Sequence, residues 1–264
     1  MLGAVIGDIV GSIYEFSNHR SKQFEFFGDG CFFTDDTVMT MAVASALMRH
    51  RRGDTEDFKR ELVSEMQRLG RAYPGRGYGG RFAGWLEEDD PKPYNSWGNG
   101  SAMRVAPVAW FAETLEECSA LAAASAEVTH NHPEGIKGAK AAAECIYLAR
   151  KGASQASIRE YVEENYYKLD FTIDEIRPTY RFNESCQETV PQAIEAFLES
   201  DGFEDAVRIA ISVGGDSDTL ADITGAIAEA YYGIPDNIFF DALDYLDDEL
   251  DIIYTAFVRL CGMA

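Results

Sequence analysis

Two short acidic motifs, far apart in the sequence, combine carboxylates with hydroxyl groups immediately before an apolar run. The first is Thr34-Asp35-Asp36-Thr37 and the second is Gly214-Gly215-Asp216-Ser217-Asp218-Thr219. Either motif alone fits a helix N-terminus, because Ser, Thr and Asp cap helices and acidic side chains offset the positive end of the helix dipole. A cap needs one side-chain oxygen, however, and each junction offers two carboxylates together with threonine hydroxyls. This density indicates a functional site formed by both motifs.

If the four aspartates of these motifs converge, they require a counter-charge. Two carboxylates about 4 Å apart repel each other by about 4 kcal/mol at an effective dielectric constant of about 20. Bound cations remove that penalty. Oxygen ligands with no Cys or His nearby favour magnesium, manganese or calcium over zinc. The residues themselves therefore predict a site for hard divalent cations.

Five motifs resemble the signatures of the ADP-ribosylglycohydrolases, the family of dinitrogenase reductase-activating glycohydrolase and related ADP-ribosyl hydrolases, and they occur along the chain in the family's order. The three besides the acidic motifs are Gly7-Asp8-Ile9-Val10-Gly11-Ser12 with Glu15, Gly98-Asn99-Gly100-Ser101-Ala102-Met103-Arg104, and Thr129-His130. The resemblance covers nearly the whole chain. It implies a hydrolase that cleaves the bond between C1″ of the distal ribose of ADP-ribose and an acceptor atom. The substrate would be an ADP-ribose-containing small molecule or an ADP-ribosylated protein.

The resemblance also implies a metal site and roles for its residues. Two divalent cations, Mg²⁺ or Mn²⁺, would be bound by oxygen atoms from both acidic motifs. These ligands are Thr34, Asp35, Asp36, Asp216, Asp218 and Thr219. Glu15 would lie on a mobile segment that closes over the metals and would contact the substrate. Glu15 and Asp36 are the two candidates for the general acid or base.

A glycine-rich turn is the expected substrate-binding element. Ser96, Trp97, Gly98, Asn99, Gly100 and Ser101 precede an apolar run from Ala102 to Ala112. Such a turn exposes backbone N–H groups to a diphosphate at a helix N-terminus, and the flat indole can stack on a base. The resemblance implies that this turn binds ADP-ribose, that Met103 belongs to the same motif, and that His130 contacts the ribose or a phosphate.

Three other functions stay open at this level. A protein of the same fold could bind ADP-ribose without turnover, the cations could have only a structural role, or the ion pair could serve a phosphohydrolase. The linkage that is cut also stays open among arginine, serine, O-acetyl-ADP-ribose and nucleic acid. We expect the segments 15–32 and 76–94 to shape that specificity.

Apolar residues recur at helical spacing along most of the chain, and no clear strand alternation with hairpin turns is present, so the sequence predicts an all-α fold. The expected helices cover residues 2–14, 34–52, 55–72, 82–88, 102–112, 115–128, 133–150, 155–169, 185–200 and 220–232, with one or two more in 236–260. No linker, repeat or low-complexity tract interrupts them. We therefore expect residues 1–264 to form one domain, and the resemblance implies a compact orthogonal helical bundle.

Composition excludes several classes of partner. A formal net charge of -22 over 264 residues disfavours a broad nucleic-acid surface and an anionic membrane, because both require clustered Lys and Arg. No apolar run approaches the roughly 20 residues of a membrane span. The five widely spaced cysteines fit reduced thiols, and the N-terminus lacks the basic start of a secretory signal. These features together predict a cytoplasmic protein.

Overall fold

The structure is a computed structural model that describes residues 1–262, and within that range its regular elements are helices. The α-helices are α1 (Leu2–Gly11), α2 (Asp35–Arg49), α3 (Thr55–Ala72), α4 (Gly80–Leu86), α5 (Ala106–Phe111), α6 (Leu115–Glu127), α7 (Pro133–Arg150), α8 (Gln155–Asn165), α9 (Ile173–Ile176), α10 (Cys186–Leu198), α11 (Phe203–Ser212), α12 (Ser217–Tyr232), α13 (Asp236–Leu243) and α14 (Asp248–Cys261). A single isolated β-bridge in the described range joins Gly98 to Ser185. The all-α prediction is therefore confirmed.

Helix α12 lies at the centre of the bundle, in contact with α1, α7, α10 and α11. Every residue from Ser217 to Ala228 is buried. A helix that is covered on all sides must be largely apolar, which explains the long apolar run after the second acidic motif. That motif therefore stands at the start of a buried central helix.

Helix α1 packs against α12 through a row of glycines. Gly3, Gly7 and Gly11 recur every four residues, so they share one face of α1. A Cβ atom on Gly7 would overlap the backbone of Ala221, and one on Gly11 would lie 2.5 Å from the Cα of Asp218. Because only glycine permits this approach, the row brings the end of α1 against the second acidic motif.

Helix α1 also fixes the start of α2, which begins inside the first acidic motif. Thr34 is the N-cap, and its Oγ1 accepts a hydrogen bond from the N–H of Asp36 at 3.3 Å. The carboxylate of Asp8 in α1 accepts hydrogen bonds from the N–H and the hydroxyl of both Thr34 and Thr37. Both acidic motifs are thus attached to α1, which explains how distant parts of the sequence meet.

Most helices begin and end within a few residues of the predicted bounds, but the helix expected at 102–112 does not. It begins only at Ala106, as α5. Asn99–Ser101 form a 3₁₀ turn instead, and the carbonyl of Asn99 accepts hydrogen bonds from the N–H groups of Ala102 and Met103. These bonds form a tight turn, so the α-helix begins after it, at Ala106.

A short helix also forms where a loop was expected. Helix α9 lies within the turn-rich stretch 170–183. Its start is a capping box in which the Thr172 side chain accepts from the N–H of Glu175 and the Glu175 carboxylate accepts from the N–H of Thr172. The motif Thr-x-x-Glu is the local signal that predicts such a helix start.

All five cysteines are unpaired, and Cys118, Cys145 and Cys186 are buried. None of the helices in residues 1–262 combines the length and the apolar character needed to cross a membrane.

Candidate active site

The acidic cluster of this protein consists of Glu15, Asp216 and Asp218, which come from opposite ends of the chain. Each contributes a carboxylate oxygen, and these oxygens all lie within 4.8 Å of one another. Asp216 is the N-cap of α12 and Asp218 lies in its first turn, whereas Glu15 follows α1 and is only half-buried. The close approach at Gly11 explains the convergence, because it places the segment after α1 beside the start of α12.

Asp35 and Asp36 line the same cavity as the acidic cluster. Asp36 is almost completely buried, and among residues 1–262 its Oδ2 has no hydrogen-bond partner. Asp35 is less buried, and its N–H donates to the carbonyl oxygen of Arg76 at 2.8 Å. Together with Glu184, these five carboxylates line one cavity. We define the acidic wall as Glu15, Asp35, Asp36, Asp216 and Asp218.

Burial and mutual repulsion raise the pKa values of these carboxyl groups. Burial raises the pKa of Glu15 to about 7, with a further contribution from the charge of Asp216. Burial likewise raises the pKa of Asp35 to about 8. The pKa values of Asp36 and Asp218 are raised well above the usual range, first by burial and then by neighbouring carboxylates. In the cation-free protein the wall therefore resists full ionisation.

The donor set of the acidic wall fits divalent cations. Within the described part of the chain, no Lys, Arg or His forms an ion pair with any of its carboxylates. The unpartnered Oδ2 of Asp36 is a free ligand atom, and the hydroxyl of Thr219 belongs to the same cavity lining. Hard oxygen donors of this kind suit magnesium or manganese.

The glycine turn, defined as residues 96–101, forms another part of the cavity and is joined to the acidic cluster by Asn99. The Nδ2 of Asn99 donates to Oδ2 of Asp216 at 2.6 Å. The N–H of Asn99 donates to the carbonyl of Glu184 at 2.7 Å, and the N–H of Gly98 donates to Oγ of Ser96 at 3.1 Å. The N–H groups of Asn99 and Gly98 therefore already have acceptors within the protein. Fewer backbone N–H groups of the glycine turn are left to bind a diphosphate than the sequence predicted.

His130 and Arg104 line the cavity beside the glycine turn. Nδ1 of His130 is hydrogen-bonded to Oγ1 of Thr129 at 2.7 Å, and a Cβ on Gly100 would lie 3.2 Å from its Nε2. Burial, and then the charge of Arg104, lowers the pKa of His130 well below its usual range. Burial also lowers the pKa of Arg104 to about 10, so at neutral pH a neutral imidazole and a guanidinium cation border the cavity.

The structure brings most of the predicted site residues to one cavity of about 270 Å³. Those that line it are Glu15, Asp35, Asp36, Ser96, Gly98, Asn99, Gly100, Met103, His130, Asp216, Asp218 and Thr219. Because these residues span the chain from position 15 to position 219, their proximity is a property of the fold rather than of local spacing.

Three predicted site residues are not among those that line the cavity. Oγ1 of Thr34 donates to Asp8 at 2.7 Å, and Oγ of Ser101 donates to the carbonyl of Gly135 at 2.8 Å. Trp97 is about half exposed, and its ring centroid lies 5.4 Å from that of His132. Their proposed roles in binding metal or substrate stay predictions.

Eight lining residues were not assigned a site role from the sequence: Gly77, Gly79, Gly80, Arg81, Phe82, Tyr94, Arg104 and Glu184. Arg104 ends the glycine-turn motif, so its position offered a signal. Arg81 and Tyr94 belong to the segment expected to shape specificity, and the guanidinium of Arg81 lies 5.2 Å from the centroid of the Tyr94 ring. Glu184 lies in a turn-rich stretch that offered no signal.

Comparison with known proteins identifies related sequences. The family model for ADP-ribosylglycohydrolase matches residues 1–259. The chain is 27% identical to the ADP-ribosylhydrolase ARH3 of Mus musculus, over 89% of this chain and 83% of that protein. It is 27% identical to the ADP-ribosylarginine hydrolase Tri1 of Pseudomonas putida (strain GB-1), over 89% of this chain and 70% of that protein.

A solved structure shows the same fold. The structure titled "ADP-ribosylglycohydrolase-related protein complex" aligns with a TM-score of 0.72 and 24% sequence identity, covering 98% of this chain and 95% of that one. At this level of identity the likeness establishes the arrangement of the helices.

Proposed function

The chain belongs to the ADP-ribosylglycohydrolase family of hydrolases, and from this membership we propose that it is a metal-dependent ADP-ribosyl hydrolase. It would cleave the bond between C1″ of the distal ribose and an acceptor atom in an ADP-ribosylated protein or small molecule. The observation that carries the proposal is the acidic cluster, whose three carboxylate oxygens lie within 4.8 Å of one another in a cavity that also contains the glycine turn.

Two divalent cations, Mg²⁺ or Mn²⁺, are the proposed cofactor. Asp35, Asp36, Asp216, Asp218 and Thr219 would bind them, with Glu15 at the solvent side of the wall. Five carboxylates and two such cations sum to a formal charge of -1, which explains how a strongly acidic protein can accept an anionic substrate. When bound, the cations would supply Lewis acidity and fix the hydroxyls of the distal ribose.

The residues of the chain position the substrate around its scissile bond. The glycine turn would bind the ADP portion, the guanidinium of Arg104 adds positive charge near it, and the neutral His130 offers a hydrogen-bonding nitrogen to a ribose or phosphate oxygen. Asn99 connects this region to Asp216, so the two ends of the ligand would be held at a fixed separation. Fixing C1″ in this way lowers the entropic part of the barrier.

Hydrolysis requires a water molecule beside C1″ and a group that accepts its proton. The water oxygen forms the new bond to C1″, the bond from C1″ to the acceptor breaks, and the water proton is transferred to the departing acceptor atom. Glu15 and Asp36 are the candidates for this proton transfer. We favour Glu15, because it is only half-buried, whereas Asp36 is almost fully buried.

The test is a panel of ADP-ribosyl-arginine, ADP-ribosyl-serine and O-acetyl-ADP-ribose, each assayed with Mg²⁺, with Mn²⁺ and with a chelator. We expect release of free ADP-ribose from at least one substrate, and its loss in the chelator. ADP-ribose binding without turnover would instead identify a silent binder, and release of inorganic phosphate would identify a phosphohydrolase. Full activity in the chelator would end the metal-dependent proposal.

The matched variant is the double substitution Asp216→Asn and Asp218→Asn. It removes two charges from the acidic cluster but keeps similar side-chain shapes. We expect a loss of turnover of at least about a hundredfold, because a hydrolytic metal site without its ligands loses its main source of charge stabilisation. The helical circular dichroism spectrum should stay unchanged, which separates loss of chemistry from loss of fold.

A further inference from the structure

The ionised carboxylate of Glu15 is repelled by neighbouring carboxylates. Its pKa is raised by burial and by the charges of Asp216, Asp8 and Glu184, and no hydrogen-bond donor offsets these effects. Glu15 lies on the segment 12–33, which connects α1 to α2. Some other contact of this segment must therefore hold Glu15 beside the start of α12.

Asn18 makes such a contact three residues after Glu15. Its backbone has a φ of +49°, in the left-handed region that Asn tolerates better than most residues. Its Oδ1 accepts a hydrogen bond from the N–H of Gly215 at 3.0 Å. A Cβ on Gly214 would lie 2.8 Å from that oxygen, so the double glycine of the second acidic motif makes room for Asn18.

Arg20 extends the contact to a third segment. Its Nη1 donates to the carbonyl oxygen of Val213 at 3.3 Å, and its Nη2 donates to the carbonyl of Tyr180 and to Oδ1 of Asn18. In the described part of the chain Arg20 forms no ion pair, so its donors bind these neutral oxygens. The planar guanidinium suits this role, because it presents several donors in a fixed arrangement.

The segment around Tyr180 closes the arrangement from the other side. A Cβ on Gly215 would lie 2.8 Å from the ring of Tyr180. The rings of Phe16 and Phe182 stack with centroids 5.8 Å apart. The second acidic motif therefore lies between the segment that carries Glu15 and the segment that carries Tyr180.

We infer that Asn18 and Arg20 are positioning residues that hold Glu15 beside Asp216 and Asp218, and so set the affinity of the acidic cluster for its cation. They act through backbone groups of the turn before α12 and do not line the cavity. The activity readout of this inference rests on the proposed function, the cation titration rests only on its cation site, and the exchange readout rests on neither.

The first test uses the cation alone. Mn²⁺ is titrated calorimetrically into the wild type, Asn18→Gly and Arg20→Met. Gly keeps the left-handed backbone and removes only the side-chain acceptor. We expect the Kd for Mn²⁺ to rise about tenfold in each variant, as for other residues that orient metal ligands. Lys22→Met is the matched control, because Lys22 ties the same segment to Asp205 of α11, away from the cavity.

The second test is amide hydrogen exchange of the segment 12–33 in the cation-free protein. We expect faster exchange in Asn18→Gly and in Arg20→Met. Each variant lacks hydrogen bonds that must break when the segment opens in the wild type, so opening costs less free energy. Asn18→Asp keeps an acceptor for Gly215 and should retain the wild-type protection. Asn18 is exposed, so Asn18→Gly decides the question even if Arg20→Met does not fold.

The third test asks whether the effect passes through Glu15. With a hydrolysed substrate, Asn18→Gly should lower kcat about tenfold and change KM less, because it displaces Glu15, the favoured group for proton transfer. In a Glu15→Gln background Asn18→Gly should have almost no further effect, because the two changes act on one group.

Unchanged Mn²⁺ affinity and unchanged exchange in both anchor variants would overturn the inference, as would fully additive effects of Asn18→Gly and Glu15→Gln. If the wild type hydrolyses none of the substrates, the proposed function fails instead. The cation titration and the exchange comparison then still decide whether Asn18 and Arg20 position Glu15.

Discussion

Asp8 of α1 and Asp222 of α12 are both completely buried close to the candidate active site, yet their surroundings are opposite. Asp8 accepts four hydrogen bonds from Thr34 and Thr37. Neither oxygen of Asp222 has a hydrogen-bond partner within residues 1–262. Burial raises the pKa of both carboxyl groups, but only for Asp8 do hydrogen bonds oppose that shift. A buried carboxylate is therefore stabilising or destabilising according to its donors.

The acidic wall stands between these two extremes. Like Asp222, Asp36 has an oxygen without a donor within residues 1–262, whereas Asp216 and Asp218 each accept a hydrogen bond. These three aspartates lie at helix N-termini. A bound cation would stabilise the negative charges of the acidic wall, as the four hydrogen-bond donors stabilise the charge of Asp8. The comparison predicts that the three groups respond differently when a side chain or a cation is removed.

The largest effect is expected at Asp8. Asp8→Ala leaves two buried backbone N–H groups and two threonine hydroxyls without their acceptor, so we expect a loss of about 4 kcal/mol in the free energy of unfolding. Urea denaturation of the cation-free protein measures it. Asp8→Asn keeps one acceptor oxygen and should lose about 2 kcal/mol. Wild-type stability in Asp8→Ala would contradict the structural role of this carboxylate.

The second effect concerns the wall and its cation. Mn²⁺ at about one hundred times its Kd should raise the free energy of unfolding by about 2.7 kcal/mol, because it binds only the folded state. Asp216→Asn with Asp218→Asn should abolish this gain. Thermal melts with and without Mn²⁺ measure it. Glu163→Gln with Glu164→Gln removes the same charge from the exposed side of α8 and should keep the gain.

The comparison of Asp8 with Asp222 also shows what the sequence could reveal. Helix α3 was predicted with its observed bounds, because Asp54 caps it and the turn after Tyr73 contains Pro and Gly. Asp8 interrupts an apolar run, so it needs a polar partner, but the sequence does not indicate that Thr34 and Thr37 are that partner. Asp222 stands in a similar apolar run, and local sequence does not distinguish a buried carboxylate that has donors from one that has none.

The site was predictable to a similar degree. The two acidic motifs and the glycine turn could be related to one another through the family resemblance, and the structure places most of their residues in one cavity. Gly214 and Gly215 of the second acidic motif make room for Asn18 and Tyr180. Contacts between residues nearly 200 positions apart follow from the packing of helices, so they cannot be predicted from the spacing of residues in a local segment.

The third effect has the opposite sign from the first. Asp222→Ala removes a buried polar group without a partner and adds a strong helix former to α12. We expect the cation-free variant to be about 2 kcal/mol more stable than the wild type at pH 8. Asp222→Asn keeps a polar group in the same place and should gain less. A loss of stability in Asp222→Ala would show that this carboxyl group has a partner of the kind that Asp8 has.

The smallest effect is the pH dependence of the stability that Asp222→Ala gains over the wild type. The groups facing Asp222 are Asp8, Asp36 and the N-terminal amine, and burial is the main cause of its raised pKa. Because the folded state keeps the Asp222 proton while the unfolded state releases it above about pH 4, raising the pH favours unfolding of the wild type. Asp222→Ala lacks this term, so its advantage should widen as the pH rises. Between pH 6 and pH 5 the advantage should shrink by about 1 kcal/mol. Urea denaturation of both proteins in a chelator, at matched ionic strength, measures the difference, and a constant gap would mean that Asp222 titrates normally in the folded protein.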